Sequence, residues 1–339
     1  MMANYLSNRS QRTKVGTNKS TWEHLTKGFP QGSGLGPFLF NVFINDLFLF
    51  IIKCLLCNYA DDNTISARNS DHNLVLNSLK TEAENAITWF NCNMMKANPE
   101  KFQIMFMCPP RCIDPFPDRF IVSDIEITRD HTAKLLGILL DDQLKFDKHV
   151  KHLCTKASRQ LGALVRIKHL ISPQQRKLIY QCFVLSNVNF CPLVWHFCST
   201  KSMRKLEKIQ ERALRFLLND IKSDYNTLLS LSGFETLFLK RVHMFAIEVY
   251  KCIYDLNPSF MSSTFNIKHV PYNFRDNSIL TLPQINNVRY GKRSFKYFGA
   301  HVWNKIPVEK KATSNLRTFK QLIRTWNGPK CQCNLCKTL

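Results

Sequence analysis

The sequence predicts an α+β fold, and three stretches predict it. Lys53–Tyr59 and Asn63–Ala67 read as two strands that meet at Ala60-Asp61-Asp62. Between His72 and Met95 the apolar residues Leu74, Leu79, Ala83, Ala86, Ile87 and Phe90 recur at helical spacing. After Phe146 the pattern changes to helices with basic faces. The chain has 339 residues, 45% of them hydrophobic. That is ample for a core and points to two or three domains.

Taken in order, Tyr5 to Val15 reads as a strand of alternating polarity ending in a turn at Gly16. No acidic residue occurs before Glu23. Gly28-Phe29-Pro30-Gln31-Gly32-Ser33-Gly34-Leu35-Gly36 is a glycine-rich loop, and glycines let a backbone approach a ligand closely. Pro37 fits the first position of an apolar helix that runs to about Leu47. Leu47–Leu56 is apolar but short and carries Lys53, so it reads as a buried helix end and strand rather than a membrane span. Asp71 caps the helix that starts at His72. Phe102–Met107 alternates weakly and reads as a strand after the Asn98-Pro99 turn, and Cys108–Pro117 is a proline-rich loop. Phe120–Ile127 and Lys134–Leu140 read as a final set of strands.

In the helical part, Lys148–Lys168 places Val150, Leu153, Ala157, Leu161 and Leu164 on one stripe. Ser172-Pro173-Gln174-Gln175 is a helix start with a capping pattern. Ser199–Leu218 is the clearest helix. Arg204, Lys208, Arg212 and Arg215 fall within about 80° of one another at about 100° per residue. Leu206, Ile209, Ala213, Phe216 and Leu217 take the other face. Such a row of cations can lie along a phosphate backbone or can be a solvated face. Asn257–Pro271 reads as a linker. Arg289–Phe298 interleaves cations with aromatics, which suits single-stranded nucleic acid or a turn with buried rings. Leu316, Phe319, Leu322, Ile323 and Trp326 form a short amphipathic helix. Cys331, Cys333 and Cys336 fall one short of the four ligands a structural zinc takes.

Lys plus Arg number 47 and Asp plus Glu 25, a net charge of +22. The excess favours a polyanionic partner, nucleic acid before membrane. Thirteen cysteines without framework spacing argue for reduced thiols and an intracellular setting, nuclear or cytoplasmic. At Asp61-Asp62 two like charges stand side by side in a hairpin tip where Asn-Gly or Asp-Gly is usual. A solvated turn is one reading. A divalent metal is the other, because Mg²⁺ takes one or two carboxylates and keeps its remaining positions for water and phosphates.

A glycine loop, an apolar helix, a strand and an Asp-Asp hairpin in this order resemble the reverse transcriptases of non-LTR retrotransposons. Gln31-Gly32-Ser33-Gly34-Leu35-Gly36-Pro37 is similar to their template- and nucleotide-facing loop, and Ile44-Asn45-Asp46-Leu47 to the end of the helix that follows. Tyr59-Ala60-Asp61-Asp62 is similar to their catalytic box. Trp89-Phe90 with Asn93–Phe102 resembles the next palm block, and Leu135–Asp141 the primer-grip hairpin. One departure is Gly34, where a branched apolar residue is expected; glycine there should loosen the loop.

The resemblance implies a partial polymerase palm over residues 1–144, a helical thumb-like region over 145–258 and a small basic C-terminal region over 259–339. It implies RNA-directed DNA polymerase activity, with Mg²⁺ or Mn²⁺ on Asp61 and Asp62, RNA template, DNA primer and deoxynucleoside triphosphates as partners, and no membrane. Gln31, Gly32, Ser33, Gly36 and Tyr59 would face template and nucleotide. Lys101 would protonate the leaving pyrophosphate, and Leu136 and Gly137 would grip the primer. Arg204, Lys208, Arg212 and Arg215 would hold nucleic acid. The family's third metal-binding carboxylate comes from a block before the glycine loop, where this sequence has only 27 residues and Glu23. The expectation is therefore a chain without fingers or first palm block, inactive or nearly so as it stands; a catalytically inactive nucleic-acid-binding remnant is the alternative function. The sequence leaves the oligomeric state open.

Overall fold

Among the described residues every named strand pairs with one other strand, giving five separate two-stranded antiparallel sheets joined by helices. The structure, a computed structural model, describes residues 2–30, 32–109, 113–268 and 278–329, with the side chains of residues 2, 3 and 289 left aside. The α+β expectation holds. Two units divide the chain. One comprises Met1–Phe106 and Arg111–Asp130, the other Met107–Pro110 and His131–Leu339.

The first unit opens with helix α1 (Met2–Leu6), where a strand from Tyr5 is expected. Asn8 then takes a left-handed φ of 55° and turns the chain, a conformation asparagine tolerates. Strand β1 (Arg9–Gln11) pairs with β4 (Glu23–Leu25), and β2 (Lys14–Val15) with β3 (Asn18–Lys19) around the expected Gly16 turn. Helix α2 (Gly36–Ile44) stops three residues short of the expected end. The short helix α3 (Leu47–Phe50) follows.

Strands β5 (Leu55–Tyr59) and β6 (Asp62–Ser66) form the expected hairpin, and helix α4 (His72–Cys92) backs it. The Asp71 carboxylate accepts from Asn73 N at 2.8 Å, the expected cap. Two small apolar clusters share α4. Ala86, Trp89 and Phe90 pack with Ile44, Leu47, Ile51, Leu56 and Ile65 towards the hairpin. Leu76, Leu79, Ala83 and Ile87 pack with Ile104, Phe106, Phe120 and Val122. The latter two belong to strand β7 (Arg119–Val122), which pairs with β8 (Ile125–Thr128). The strand expected at Phe102–Met107 is only one bridge, Ile104 to Arg129. Its alternation is real, since Ile104 and Phe106 are buried, but Phe106 stacks on Phe116 and the backbone gains no second pairing.

The second unit begins with hairpin β9 (Thr132–Leu135) and β10 (Ile138–Asp141). Register Leu135↔Ile138 leaves Leu136 and Gly137 as a two-residue loop, both with positive φ (46° and 87°), as type I′ turns require. The buried Asp141 carboxylate then accepts from Gln143 N, Lys145 N and Phe146 N at 3.2, 2.9 and 2.6 Å. These bonds fold the chain tightly into helix α5 (Asp147–Arg166).

Helix α6 (Pro173–Ile179) carries the expected capping box, with Ser172 N to Gln175 Oε1 at 2.9 Å and Gln175 N to Ser172 Oγ at 3.4 Å. A π-helical stretch, Tyr180–Leu185, leads to α7 (Ser186–Val188) and α8 (Pro192–Trp195). Helices α9 (Thr200–Leu218) and α10 (Tyr225–Ser232) complete one large apolar cluster with α5.

Helix α11 (Leu237–Ile253) opens a second cluster, which it shares with α13 (Phe295–Asn304) and α15 (Leu316–Arg324). Between them lie α12 (Ser259–Ser262) and, before α15, α14 (Val308–Lys311). The stretch expected as a linker thus carries α12 and the bridge Ile267↔Leu280. Residues after 278 share their core with α11. Cys331, Cys333 and Cys336 lie outside the described residues. No helix among the described residues is long and apolar enough to cross a membrane.

Candidate active site

Tyr59 pairs with Asp62, so Ala60 and Asp61 alone make the turn between β5 and β6. Ala60 takes φ 54°, the left-handed conformation that glycine or asparagine usually fills at this place. A side chain there costs about 1–2 kcal/mol, and strain of this kind gathers at functional turns. Below the tip, Asn58 Nδ2 donates to Asn63 Oδ1 at 2.5 Å, and Asn63 Nδ2 donates to the Asp61 carbonyl at 3.2 Å. Tyr59, Asp61 and Asp62 are all exposed. Leu56 and Ile65 anchor the other side of the ribbon in the core. The hairpin therefore holds two adjacent carboxylates in solvent on a backed, cross-linked ribbon.

Carboxylates nearby serve the scaffold. Trp89 is 1% exposed, and its Nε1 donates to Asp46 Oδ1 at 3.1 Å. The Asp46 that sequence motif places at the end of the glycine-loop helix thus holds the tryptophan of the later block. Glu82, also buried, accepts from Ile52 N at 2.8 Å where the chain enters β5. Burial pushes the nearby Cys54 thiol up, and Glu82 adds to it. Sequence reading missed both roles, because each links residues 30 or more positions apart.

In the glycine loop, Ser33 Oγ accepts from Leu35 N at 3.1 Å and from the Tyr5 hydroxyl. Arg9 donates to the Gly28 carbonyl. Gly32 has φ 79°. A Cβ on Gly36 would lie 2.8 Å from the Phe29 ring, so that glycine is a packing requirement. Gly34 has no such need, because a Cβ there meets nothing within 4 Å. Gln31 lies outside the described residues. Lys101 ends a 3₁₀ turn, Pro99–Lys101, and is exposed. Leu136, 45% exposed, and Gly137 form the β9–β10 turn of the second unit.

On α9 the four expected cations differ in their surroundings. Lys208 and Arg212 are exposed and Arg204 is half-buried. Arg215 is taken up by Glu211 at 2.8 Å and by the Ile221 carbonyl at 2.6 Å. The exposed row is Lys201, Lys205, Lys208 and Arg212, which fall within about 60° of one another at about 100° per residue. Glu207 faces inward, accepting from Tyr225 Oη at 2.7 Å and from Phe238 N at 2.9 Å. Both acids of the helix are thus engaged within the fold. The i, i+4, i+7, i+11 spacing of this row is the signal in the sequence that marks it.

Two hard oxygen donors on a solvent-facing turn fit Mg²⁺ or Mn²⁺ held with water and phosphate oxygens. Among the described residues no group of three or more His, Cys, Asp or Glu side chains is placed to hold a metal.

Residues 1–140 match the family model for reverse transcriptase (RNA-dependent DNA polymerase). The chain is 25% identical over 225 residues to the probable RNA-directed DNA polymerase from transposon BS of Drosophila melanogaster, covering 63% of this chain and 25% of that protein. It is 22% identical over 229 residues to the probable RNA-directed DNA polymerase from transposon X-element of the same species, with coverage of 64% and 24%. The RNA-directed DNA polymerase from mobile element jockey of Drosophila funebris is 23% identical over 213 residues, with coverage of 58% and 22%. The likeness to the first two relatives thus runs past the family-matched segment, while the chain spans about a quarter of their length. No solved structure matches it significantly. The chain is thus similar through residues 1–140 to reverse transcriptases, and over 213 to 229 residues to RNA-directed DNA polymerases of transposons and mobile elements.

Proposed function

We propose that the chain carries the catalytic hairpin and primer-holding region of an RNA-directed DNA polymerase. Such an enzyme extends a DNA primer on an RNA template with deoxynucleoside triphosphates. With no third acidic side chain grouped with Asp61 and Asp62 among the described residues, slow extension or none is expected of this chain by itself. The observation that carries this reading is the Tyr59–Asp62 turn: two exposed, adjacent carboxylates on a strained two-residue loop inside the family-matched segment. The first unit corresponds in this reading to a polymerase palm, and the helices from α5 onward to a thumb and a basic extension.

Asp61 is the main metal ligand in this reading and Asp62 the second. Bound divalent ions supply charge neutralisation on the triphosphate and alignment of the attacking hydroxyl. The chain's own part is positional. The Asn58–Asn63 pair fixes the height of the tip. The backbone from Gly32 to Gly36, with Tyr59, seats the templating base and incoming nucleotide. Lys101 supplies a proton to the departing pyrophosphate, and Leu136 and Gly137 contact the primer.

The test is primer extension on an RNA template with Mg²⁺ and with Mn²⁺, comparing the unaltered chain with Asp61→Asn and Asp62→Asn. Loss of an essential member of a catalytic set lowers the rate by several powers of ten, and that loss is expected for Asp61→Asn. Robust extension by the unaltered chain that Asp61→Asn abolishes would show a complete site, and robust extension equal in all three chains would remove the hairpin from the mechanism.

A further inference from the structure

Two adjoining clefts of about 330 and 300 Å³ open in the second unit, and both are lined by Lys145, Phe197 and Arg293. Val288 adds an aliphatic wall to the first. Leu193, Tyr290 and Phe295 line the second. The elements are the Asp141-tied loop before α5, helix α8 with the residues after it, and the π-helical turn Val288–Lys292 that leads into α13. The last is the stretch where the sequence interleaves cations with aromatics. The structure divides its rings. Phe298 packs with Phe245 and His196 in the second core cluster, Tyr297 stacks on His301, and Tyr290, 36% exposed, lines the second cleft.

Charge selects the ligand. No acidic residue occurs between Asp276 and Glu309, while Lys292, Arg293 and Lys296 are exposed. The lining holds one carboxylate, Asp147, whose Oδ1 accepts from Ser199 N at 3.2 Å, from Ser199 Oγ at 2.6 Å and from Ser202 Oγ. The charge of Lys145 also acts on it, which leaves Arg293 as the cation of the lining that the carboxylate offsets least. Size selects it further. Each lobe lies at the small end of ligand sites, which run to about 300–1,000 Å³. That is room for single flat groups and excludes a double helix. Aromatic and aliphatic walls with cations where two lobes meet match bases alternating with phosphates.

We propose that this twin cleft binds a single-stranded polynucleotide. One base enters each lobe, against Phe197 and Tyr290, and the phosphate between them lies at Lys145 and Arg293. The cleft belongs to the second unit and the Asp61-Asp62 hairpin to the first, and binding there needs no polymerase activity.

The experiment measures anisotropy of fluorescein-labelled ten-nucleotide oligouridylate and oligothymidylate on the full chain, with unfolding curves to confirm that each variant is folded. Tyr290→Ala should weaken binding roughly five- to hundredfold, the range for loss of one stacked base. Tyr290→Phe should bind like the unaltered chain. Arg293→Ala and Lys145→Ala should each weaken binding and lower the salt slope by about 0.7. A 4-thiouridine oligonucleotide should crosslink to the peptide holding Tyr290 or Phe197. Unequal effects on the two oligonucleotides would say whether RNA or DNA is the strand held, and either supports the site. Asp61→Asn should leave all of this unchanged, so failure here and failure of the polymerase reading are distinct. Wild-type affinity in folded Tyr290→Ala and Arg293→Ala, or crosslinks mapping elsewhere, would overturn the proposal. So would binding of a Glu- and Phe-rich peptide at the cleft with no binding of either oligonucleotide.

Discussion

The imidazole of His196 lies among the rings of Phe197, Phe238, Phe245 and Phe298, with centroids 4.8 to 5.8 Å away, and is 3% exposed. Burial drives its pKa well below 6.5, and the Arg241 guanidinium pushes the same way. The folded chain keeps this ring neutral, whereas the unfolded chain takes up a proton near pH 6.5. Stability from His196 is therefore complete above pH 6.5. It falls as pH drops below that value, by about 1.4 kcal/mol per pH unit. His149, which burial and His152 also lower, adds a change of the same sign. In urea unfolding between pH 7.5 and 5, His196→Leu should show a flatter loss of stability than the unaltered chain. Equal slopes would show that the ring is protonated in the fold. Nothing in the local sequence marks this residue, because its cage comes from α11 and α13 as well as its own neighbour. The Asp61-Asp62 tip is the opposite case. Its residues are contiguous, and the turn chemistry that makes them unusual can be read from four letters.

Between residue and fold stands the helix, and α9 shows what periodicity settles and what it leaves open. The apolar face was legible: Leu206, Ile209, Ala213, Phe216 and Leu217 are all buried. The choice among its basic residues was not, because a side chain one position along the helix can meet solvent or an acid. Arg215 meets Glu211, while Lys201 and Lys205 stay exposed. In the polymerase reading the exposed row contacts the backbone of a primed template. Replacing Lys201, Lys205, Lys208 and Arg212 by Gln should weaken binding about equally across sequences. It should also reduce the salt slope by up to about 0.9 for each phosphate no longer neutralised. Arg215→Gln should instead lower stability with little change in binding. If the quadruple variant binds a primed duplex as before at every salt concentration, the row is only a solvated face. Capping was legible for the same reason that the row is regular: Ser172 and Gln175, three residues apart, complete each other's bonds. The strands expected at Tyr5–Val15 and Phe102–Met107 were not, since pairing partners are not written in the strand that needs them.

Over the whole molecule, the apolar core is distributed unevenly. In the second unit α5, α9 and α10 enclose one large cluster, and α11, α13 and α15 another, with Trp195, Trp303, Tyr250 and Phe245 fully buried. In the first unit the core divides into two small clusters on either side of α4, beneath sheets of two strands each. A two-stranded ribbon is marginal by itself and depends on the helix that backs it. Helix α2 and its continuation also leave Phe38, Val42, Leu49 and Ile52 at least 60% exposed, apolar area that adds nothing to the stability of this unit. Local opening follows buried apolar contact and backbone protection. The first unit should therefore open at lower free energy than the second, carrying the Asp61-Asp62 hairpin with it. Native-state hydrogen exchange on the full chain tests this. Amides of α5, α9 and α11 should exchange slowest and follow global unfolding as denaturant rises. Those of β5 and β6 should exchange faster through a smaller opening whose denaturant dependence matches the first unit alone. Equal protection of the β5–β6 ladder and of α9 would mean that the two units unfold as one. A primed template bound at the hairpin should slow exchange in β5 and β6 while leaving α11 unchanged, because only the ligand-bound form of the weaker unit gains stability by mass action.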